Sequence, residues 1–261
     1  MLVHPSSIDL SSRTLQYLSA RLHAQRREIG TRWRRLPAGR QALLALAHLR
    51  CGDTYAQLAA GFRVGIATVY RCIREVIDVL AALAPTLTEA MKTIRTKAFV
   101  ILDGRLLPID RIAADTPYYS GKHKRHGMNV QVLTDPFGRL LWASPALPGS
   151  VHDLTAARTH GITDALAAAE LKCWADKAYQ GAGQPVRVPF RGHRLKRWKR
   201  RHNSSHAKIR CLVEQAMAVL NSWRLLRARN TITRPGPVSV SVPVVVSCRG
   251  EAWERGPDRG R

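Results

Sequence analysis

Two aspartates and a glutamate stand where this chain could bring acidic oxygens together. Asp103 directly follows the apolar run 98–102, Asp176 follows a second short predicted strand, 171–175, and Glu214 lies on an amphipathic helix further along. Carboxylates that converge repel one another unless a cation lies between them. Oxygen-only ligands favour Mg²⁺ or Mn²⁺, and two such ions about 4 Å apart can bind the attacking and leaving oxygens of an in-line phosphoryl displacement. Any one of these acids alone is more often a cap or a solvated charge, but the chain has only 18 Asp and Glu in 261 residues, so three related positions indicate a metal site.

A sheet and its flanking helices must position these acids. Apolar β-branched runs and helical periodicity predict strands at 98–102, 128–134 and 139–144, a helix at 151–169 capped by Ser150, a strand at 171–175 and a helix at 205–226. Both aspartates would then lie at strand ends on one edge of the sheet, and the last helix would carry Glu214 across to them. This order predicts an α/β (α+β) fold of the ribonuclease-H-like type, a mixed sheet with flanking helices.

A small all-α domain precedes the predicted sheet. Helices are predicted at 40–50, 55–61 and 66–80, with Asp53 or Thr54 capping the second one. A helix, a short helix, a tight turn and a longer helix form a helix-turn-helix, whose last helix enters the major groove of DNA. Arg71 and Arg74 would lie on its exposed face, together with Thr68 and Tyr70. The alternative is a three-helix packing module whose arginines are merely solvated.

The net positive charge of the chain favours one class of binding partner. Lys and Arg number 42 against 18 Asp and Glu, a formal net charge of +24, so a polyanion is a more plausible partner than a small neutral metabolite. No run of about 18 apolar residues and no signal-peptide pattern is present, so we expect no membrane partner and a cytoplasmic location. Five scattered cysteines argue against a disulfide framework and fit a reducing compartment.

Two basic segments could contact the DNA backbone. The stretch 187–201 contains eight Lys and Arg and no acid, and we expect Arg194, Arg197 and Trp198 to line a DNA path, with the indole able to stack on an unpaired base. Lys122 and Lys124 form a second patch. Either segment could instead be a solvated face or loop. A zinc site at His123, His126 and His152 is disfavoured, because no soft fourth ligand accompanies them and the segment from His123 to His126 is basic and would repel a cation.

Several motifs resemble those of one family, the DDE-superfamily transposases of bacterial insertion sequences, whose eukaryotic relatives include the Harbinger-type transposases. The matching segments are 102–104 (LDG) with 108–109 (PI), 119–126 (YSGKHKRH), 148–153 (PGSVHD), 176–179 (DKAY) and 210–214 (RCLVE). Within the range 37–229 the chain also has the helix-turn-helix ahead of the catalytic body that this family carries.

The resemblance implies a mechanism and its residues. Asp103, Asp176 and Glu214 would bind two Mg²⁺ or Mn²⁺ ions, Asp153 would be an additional acid at the site and a candidate fourth ligand, and Arg210, one helical turn before Glu214, would contact phosphate or orient that glutamate. Water would attack the phosphodiester at the element end, and the freed 3′-hydroxyl would attack target DNA. The implied partners are double-stranded DNA, with terminal inverted repeats and target sequence, and a second copy of the chain at the bacterial nucleoid.

The chain also departs from the family pattern. Ala207 and Asn221 stand where members often have tyrosine and lysine, and the tail 230–261 is rich in proline, valine, glycine and arginine, where another helix is expected. A frameshift is one hypothesis for that tail. The predicted organisation is an N-terminal arm at 1–36, the helix-turn-helix at 37–84, the catalytic domain at 97–229 and the atypical tail. A catalytically impaired remnant that only binds DNA is the alternative function, and a nuclease that does not transpose is a third.

Overall fold

The N-terminal part of the chain is a bundle of helices. The structure, a computed structural model, describes residues 11–30, 34–109 and 116–222; the predicted tail 230–261 lies outside them. The bundle consists of α1 (Ser12–Glu28), α2 (Ala38–Cys51), α3 (Tyr55–Phe62) and α4 (Ile66–Ala82). Helix α1 falls in the stretch assigned to an N-terminal arm, and it packs against α2 with Leu18 and Leu22 buried.

The three helices predicted at 40–80 are present nearly as expected. The side chain of Thr54 caps α3 and forms a capping box with Gln57. The apolar face of α4 is buried, including Val69 and Ile73, and this burial drives its packing against α2 and α3.

The remainder of the described chain is built on a mixed sheet. Its strands are β1 (Val100–Pro108), β2 (Tyr119–Ser120), β3 (Arg125–Thr134), β4 (Leu140–Ala143), β5 (Leu147–Pro148), β6 (Cys173–Ala175) and β7 (Val186–Arg187). The order is β2-β3-β1-β6-β7, and β4 and β5 also pair with β3. Strand β1 runs antiparallel to β3 and parallel to β6, and β7 continues the parallel side.

Helices cover both faces of this sheet. Helices α5 (Leu87–Ile94), α6 (Asp153–Thr159) and α7 (Ile162–Ala168) pack on the face that carries Leu102 and Leu133. Helices α8 (Arg197–Arg210) and α9 (Val213–Ser222) lie on the opposite face, where Val213 and Met217 share one buried cluster with Ile101 and the N-terminal bundle. The predicted fold class, a mixed sheet flanked by helices and preceded by a small all-α domain, is confirmed.

Three predicted elements differ from the structure. The first strand does not end at Asp103: it continues to Pro108, because the long partner β3 pairs with it as far as Gly127. The helix predicted at 151–169 is two helices, since Gly161 adopts a left-handed φ of 68° between them, and its N-cap is His152 instead of Ser150.

The helix predicted at 205–226 is also interrupted. Helix α8 begins earlier, at Arg197 inside the basic stretch, and ends at Arg210; α9 starts only at Val213. The backbone of Gly138, in the turn after β3, lies so close to the Leu212 carbonyl that an added Cβ would come within 2.1 Å of its oxygen. The turn between the two helices thus fits against the sheet.

No helix among the described residues has the length and apolar character that a membrane crossing requires.

Candidate active site

Asp103 and Asp176 occupy equivalent places on neighbouring parallel strands. The last parallel pair between β1 and β6 is Leu102 with Ala175, and the two aspartates are the next residue on each strand. Strand β6 stops there, whereas β1 continues alongside β3. The sheet therefore opens on one side of Asp103, and the structure brings these two predicted site residues together.

The carboxyl group of Asp103 lies in a sheltered, crowded position. Its side chain is 16% exposed, and its Oδ1 is 3.4 Å from Nη2 of Arg210. Burial, above all, raises the pKa of Asp103 to about 6; the Arg210 charge opposes this rise, and the charges of Asp176 and Asp153 add to it. Three carboxyl groups thus act on one another at this point.

Asp176 is held by the turn that follows it. Its side chain accepts a hydrogen bond of 2.7 Å from the backbone N–H of Ala178 and caps the short 3₁₀ helix Lys177–Tyr179. This contact fixes the carboxylate at the strand end.

Asp153 approaches the sheet from the opposite face, at the start of α6. One carboxylate oxygen accepts from Asn129 at 2.9 Å and the other accepts from Lys122 at 3.0 Å. The backbone of Gly104 allows this approach, because a Cβ there would lie 2.3 Å from Asp153 Oδ1. A glycine after Asp103 is therefore a steric requirement of this arrangement.

The third predicted ligand, Glu214, belongs to a different element from these aspartates. It is on the first turn of α9 with an exposed side chain, and the turn at 211–212 separates it from Arg210. The prediction that Arg210 and Glu214 are one turn apart on a single helix is wrong, because α8 ends at Arg210, α9 starts only at Val213, and the turn between them packs against Gly138. Across residues 11–30, 34–109 and 116–222, no three His, Cys, Asp or Glu side chains form a group that could hold a metal ion.

Arg210 carries an unused donor beside Asp103. Its Nε is buried and has no hydrogen-bond partner among the described residues. A buried donor without a partner is unfavourable by about 1–3 kcal/mol, so this position suits an anionic acceptor that arrives with a substrate.

Sequence reasoning missed two buried polar side chains on β3. Asn129 and Gln131 are 5% and 0% exposed, and they link Asp153 to the hydroxyl group of Tyr179. The sequence contains a signal for them, because two amides at alternate positions on a largely apolar strand lie on the same face of that strand.

Comparison with known proteins assigns this sequence to a family. Residues 102–248, more than half of the chain, match the DDE superfamily endonuclease model, and residues 34–86 match the helix-turn-helix of DDE superfamily endonuclease. The chain belongs to the DDE superfamily of endonucleases. It is 32% identical over 198 residues to the proposed transposase of insertion sequence element IS112 from Streptomyces albus G, which covers 74% of this chain and 72% of that protein. No solved structure matches.

Family membership confirms the predicted class of enzyme, a DDE transposase or endonuclease, and implies DNA as its partner. DDE endonucleases generally use divalent metal ions. The donors at the strand ends fit such an ion in part: Asp103 and Asp176 offer hard oxygen ligands, and burial together with the neighbouring carboxylates raises the pKa of Asp103, an effect that a bound cation would oppose. Glu214, the third predicted ligand, is exposed on α9, and the described residues contain no group of three His, Cys, Asp or Glu side chains that could hold an ion.

The predicted DNA-contacting residues of this endonuclease are exposed, except for the half-buried Arg210. Arg71 and Arg74 project from α4 beside Tyr70, whose side chain is 49% exposed. On the second domain the exposed set is Lys122, Lys124, Arg194, Arg197 and Trp198. The indole of Trp198 is 56% exposed and contacts the Phe190 ring edge-on, with centroids 5.1 Å apart.

Proposed function

We propose that this DDE endonuclease is a transposase that binds the ends of a DNA element and cuts and joins phosphodiester bonds beside Asp103 and Asp176. The observation that carries the proposal is the placement of these aspartates directly after the last parallel pair of neighbouring strands. The similarity to a protein named as a transposase supports the same reaction.

Two Mg²⁺ or Mn²⁺ ions are the proposed cofactors, with Asp103, Asp176 and Glu214 as ligands. Bound ions of this kind activate water and stabilise charge on phosphate oxygens. Asp103 must be deprotonated to serve as a ligand, and Arg210 favours that state against the effect of burial. Glu214 lies on the exposed first turn of α9, so its part in the site requires that it approach the two aspartates when DNA and metal bind.

Arg210 is the proposed anchor for the reacting phosphate. Its Nη2 contacts Asp103, while its buried Nε has no partner among the described residues. A phosphate oxygen accepting from Nε would be held directly beside the carboxylate. This would orient the phosphodiester for in-line attack.

The remaining basic residues would bind the duplex around the site. Arg71 and Arg74 on α4 would read the terminal inverted repeats in the major groove. Arg194, Arg197 and Trp198 would follow the strand near the cut, and Lys124 would add a backbone contact. At least two copies of the chain would hold two element ends at the bacterial nucleoid.

A second candidate function is DNA binding without cleavage. Two observations favour it: Glu214 is exposed, and no three His, Cys, Asp or Glu side chains among the described residues form a group that could hold a metal. In that case the chain would recognise element ends through α4 and leave them intact.

Incubation with Mn²⁺ and short duplexes that carry the terminal repeats flanking the gene distinguishes these functions. The variants are Asp103→Asn and Glu214→Gln, matched by Asp164→Asn and Glu170→Gln, which change exposed acids away from the site. Cutting and joining by the wild type and both matched controls, lost in Asp103→Asn and Glu214→Gln, supports the transposase. Cutting without joining indicates a nuclease, and binding without either supports the second function. Unchanged cleavage by Asp103→Asn overturns the site assignment.

A further inference from the structure

A chain of hydrogen bonds runs beneath the site, on the face of the sheet that α6 covers. The Tyr179 hydroxyl, on a side chain with no exposed surface, donates to Oε1 of Gln131. Gln131 Nε2 donates to Asn129 Oδ1 at 2.7 Å. Each amide has one orientation that satisfies both of its neighbours, so the order of donors is fixed from Tyr179 to Asn129.

The same chain continues to the surface through Asp153. Asn129 Nδ2 donates to Asp153 Oδ1 at 2.9 Å and to the Val151 carbonyl at 2.8 Å, while Lys122 Nζ donates to Asp153 Oδ2 at 3.0 Å. Both oxygens of this carboxylate are therefore already hydrogen-bonded to protein donors. A metal ion on Asp153 would have to compete with Asn129 on one oxygen or with Lys122 on the other.

Lys122 lines a cavity together with Asp153. The cavity has a volume of about 240 Å³ and is lined by residues from the loops 120–123 and 149–153, with Leu106 and Asn129 from the sheet. The Lys122 side chain is 50% exposed. Partial burial lowers its pKa, but the hydrogen bond and charge of Asp153, and the charges of Asp176 and Asp103, outweigh that effect and raise it. The ammonium is thus charged and within electrostatic range of all three acids.

We propose that Lys122 binds a backbone phosphate of the DNA strand that enters this cavity, and that Asp153 is a positioning residue for Lys122 instead of a metal ligand. Asn129, Gln131 and Tyr179 hold Asp153 from beneath. Tyr179 lies three residues after Asp176, so the turn that fixes the catalytic aspartate also fixes the phosphate-binding lysine. The proposal rests on the proposed function, because it assigns a substrate contact at the same site.

Two measurements test it without cleavage. The first is DNA affinity as a function of salt: Lys122→Ala should lower the slope of log affinity against log salt by about one, and Lys122→Arg should restore it. The second is Mn²⁺ affinity in the full-length protein: Asp103→Asn should weaken it at least about tenfold, whereas Asp153→Asn should leave it within about twofold of the wild type. Melting temperatures of all variants show whether each remains folded.

Cleavage then reports on the coupling between the two residues. At saturating DNA, Lys122→Ala and Asp153→Asn should each lower kcat about tenfold or more, and the double variant should be no slower than either one, because both remove the same positioned ammonium. Tyr179→Phe, which removes only the hydroxyl group, should lower kcat by a smaller factor without changing Mn²⁺ affinity.

The results that would overturn this inference differ from those that would overturn the proposed function. An unchanged salt slope in Lys122→Ala, a loss of Mn²⁺ affinity in Asp153→Asn, or multiplicative effects in the double variant would overturn the roles given to Lys122 and Asp153, while leaving a transposase with another arrangement of its site. A wild-type protein that binds DNA and neither cuts nor joins it counts against the proposed function, and the salt and Mn²⁺ measurements still decide the inference.

Discussion

Arg210 Nη2 lies 3.4 Å from Oδ1 of Asp103, which joins the last turn of α8 to the central strand of the sheet. The contact links residues 107 positions apart in the chain. The Arg210 charge lowers the pKa of a carboxyl group that burial and two neighbouring aspartates push toward its protonated form. The pKa of Asp103 therefore depends on its contact with Arg210 and on the positions of the two neighbouring aspartates.

Cleavage should decline as the pH falls through about 6. The pKa of Asp103 is raised to about 6, mainly by burial, and a protonated carboxyl group is a poor ligand for a divalent cation. The measurement is the single-turnover cleavage rate in Mg²⁺ between pH 5 and pH 8, with DNA binding recorded at each pH. A rate that stays level down to about pH 5 would contradict the assignment of Asp103.

Arg210→Gln should move this acidic limb to higher pH. Loss of the guanidinium removes the charge that lowers the pKa of Asp103, while the effects of burial and of Asp176 remain. Arg95→Gln is the matched control, since Arg95 is exposed at the end of α5. The same pH profile in Arg210→Gln and the wild type would show that the ion pair has no influence on the titration.

Asp103→Asn should stabilise the metal-free protein at neutral pH while it abolishes cleavage. A carboxyl group whose folded-state pKa is raised from 3.8 to about 6 favours the folded state below about pH 4 and loses that contribution as the pH rises through about 6. The amide lacks this penalty, so the variant should gain on the order of 1–3 kcal/mol at pH 7. Urea unfolding at pH 4 and pH 7 checks the sign: the advantage should shrink at the lower pH. An equal advantage at both values would mean that ionisation is not its cause.

The sequence predicts best what local pattern determines. The helices of the N-terminal bundle follow from apolar periodicity and from the cap at Thr54, both of which are visible within a few residues. The neighbouring positions of Asp103 and Asp176 follow from two short predicted strands that are each followed by an acid, since such strands lie parallel in this fold.

Contacts between distant segments explain the rest. Strand β1 extends past Asp103 because β3 pairs with it. The break before Glu214 fits against Gly138, more than 70 positions earlier in the chain. The partnership of Asp153 with Asn129 likewise depends on the approach of α6 to the sheet, which no local spacing encodes.

Gly104→Ala should displace Asp153 and destabilise the catalytic domain. The new Cβ would lie 2.3 Å from Asp153 Oδ1 and 3.1 Å from Gln131 Nε2, so the carboxylate must move away from Asn129. We expect a loss of about 1–3 kcal/mol by chemical denaturation, because overpacking forces side chains from their preferred positions.

Gly121→Ala is the matched control for this change. A Cβ at Gly121 would meet no atom within 4 Å, so the substitution should leave the free energy of unfolding nearly unchanged. Equal stability of the two variants would contradict the close contact between α6 and β1.

Arg71→Ala should weaken DNA binding while the catalytic domain remains intact. Arg71 is exposed on α4, and its Nε donates to the Ala67 carbonyl of the same helix at 3.3 Å, so its loss should leave the packing of the bundle intact. If Arg71 contacts a phosphate, DNA affinity should fall for every sequence, and the slope of log affinity against log salt should drop by about one. If Arg71 reads a base edge, the loss of binding free energy should be about 1–3 kcal/mol for the element end and much smaller for unrelated duplexes. Lys92→Ala removes an equal charge from an exposed position on α5 and should have little effect on either duplex. Equal affinities of Arg71→Ala and Lys92→Ala would mean that α4 contributes only to the general positive charge, and that the DNA-reading surface lies elsewhere on the protein.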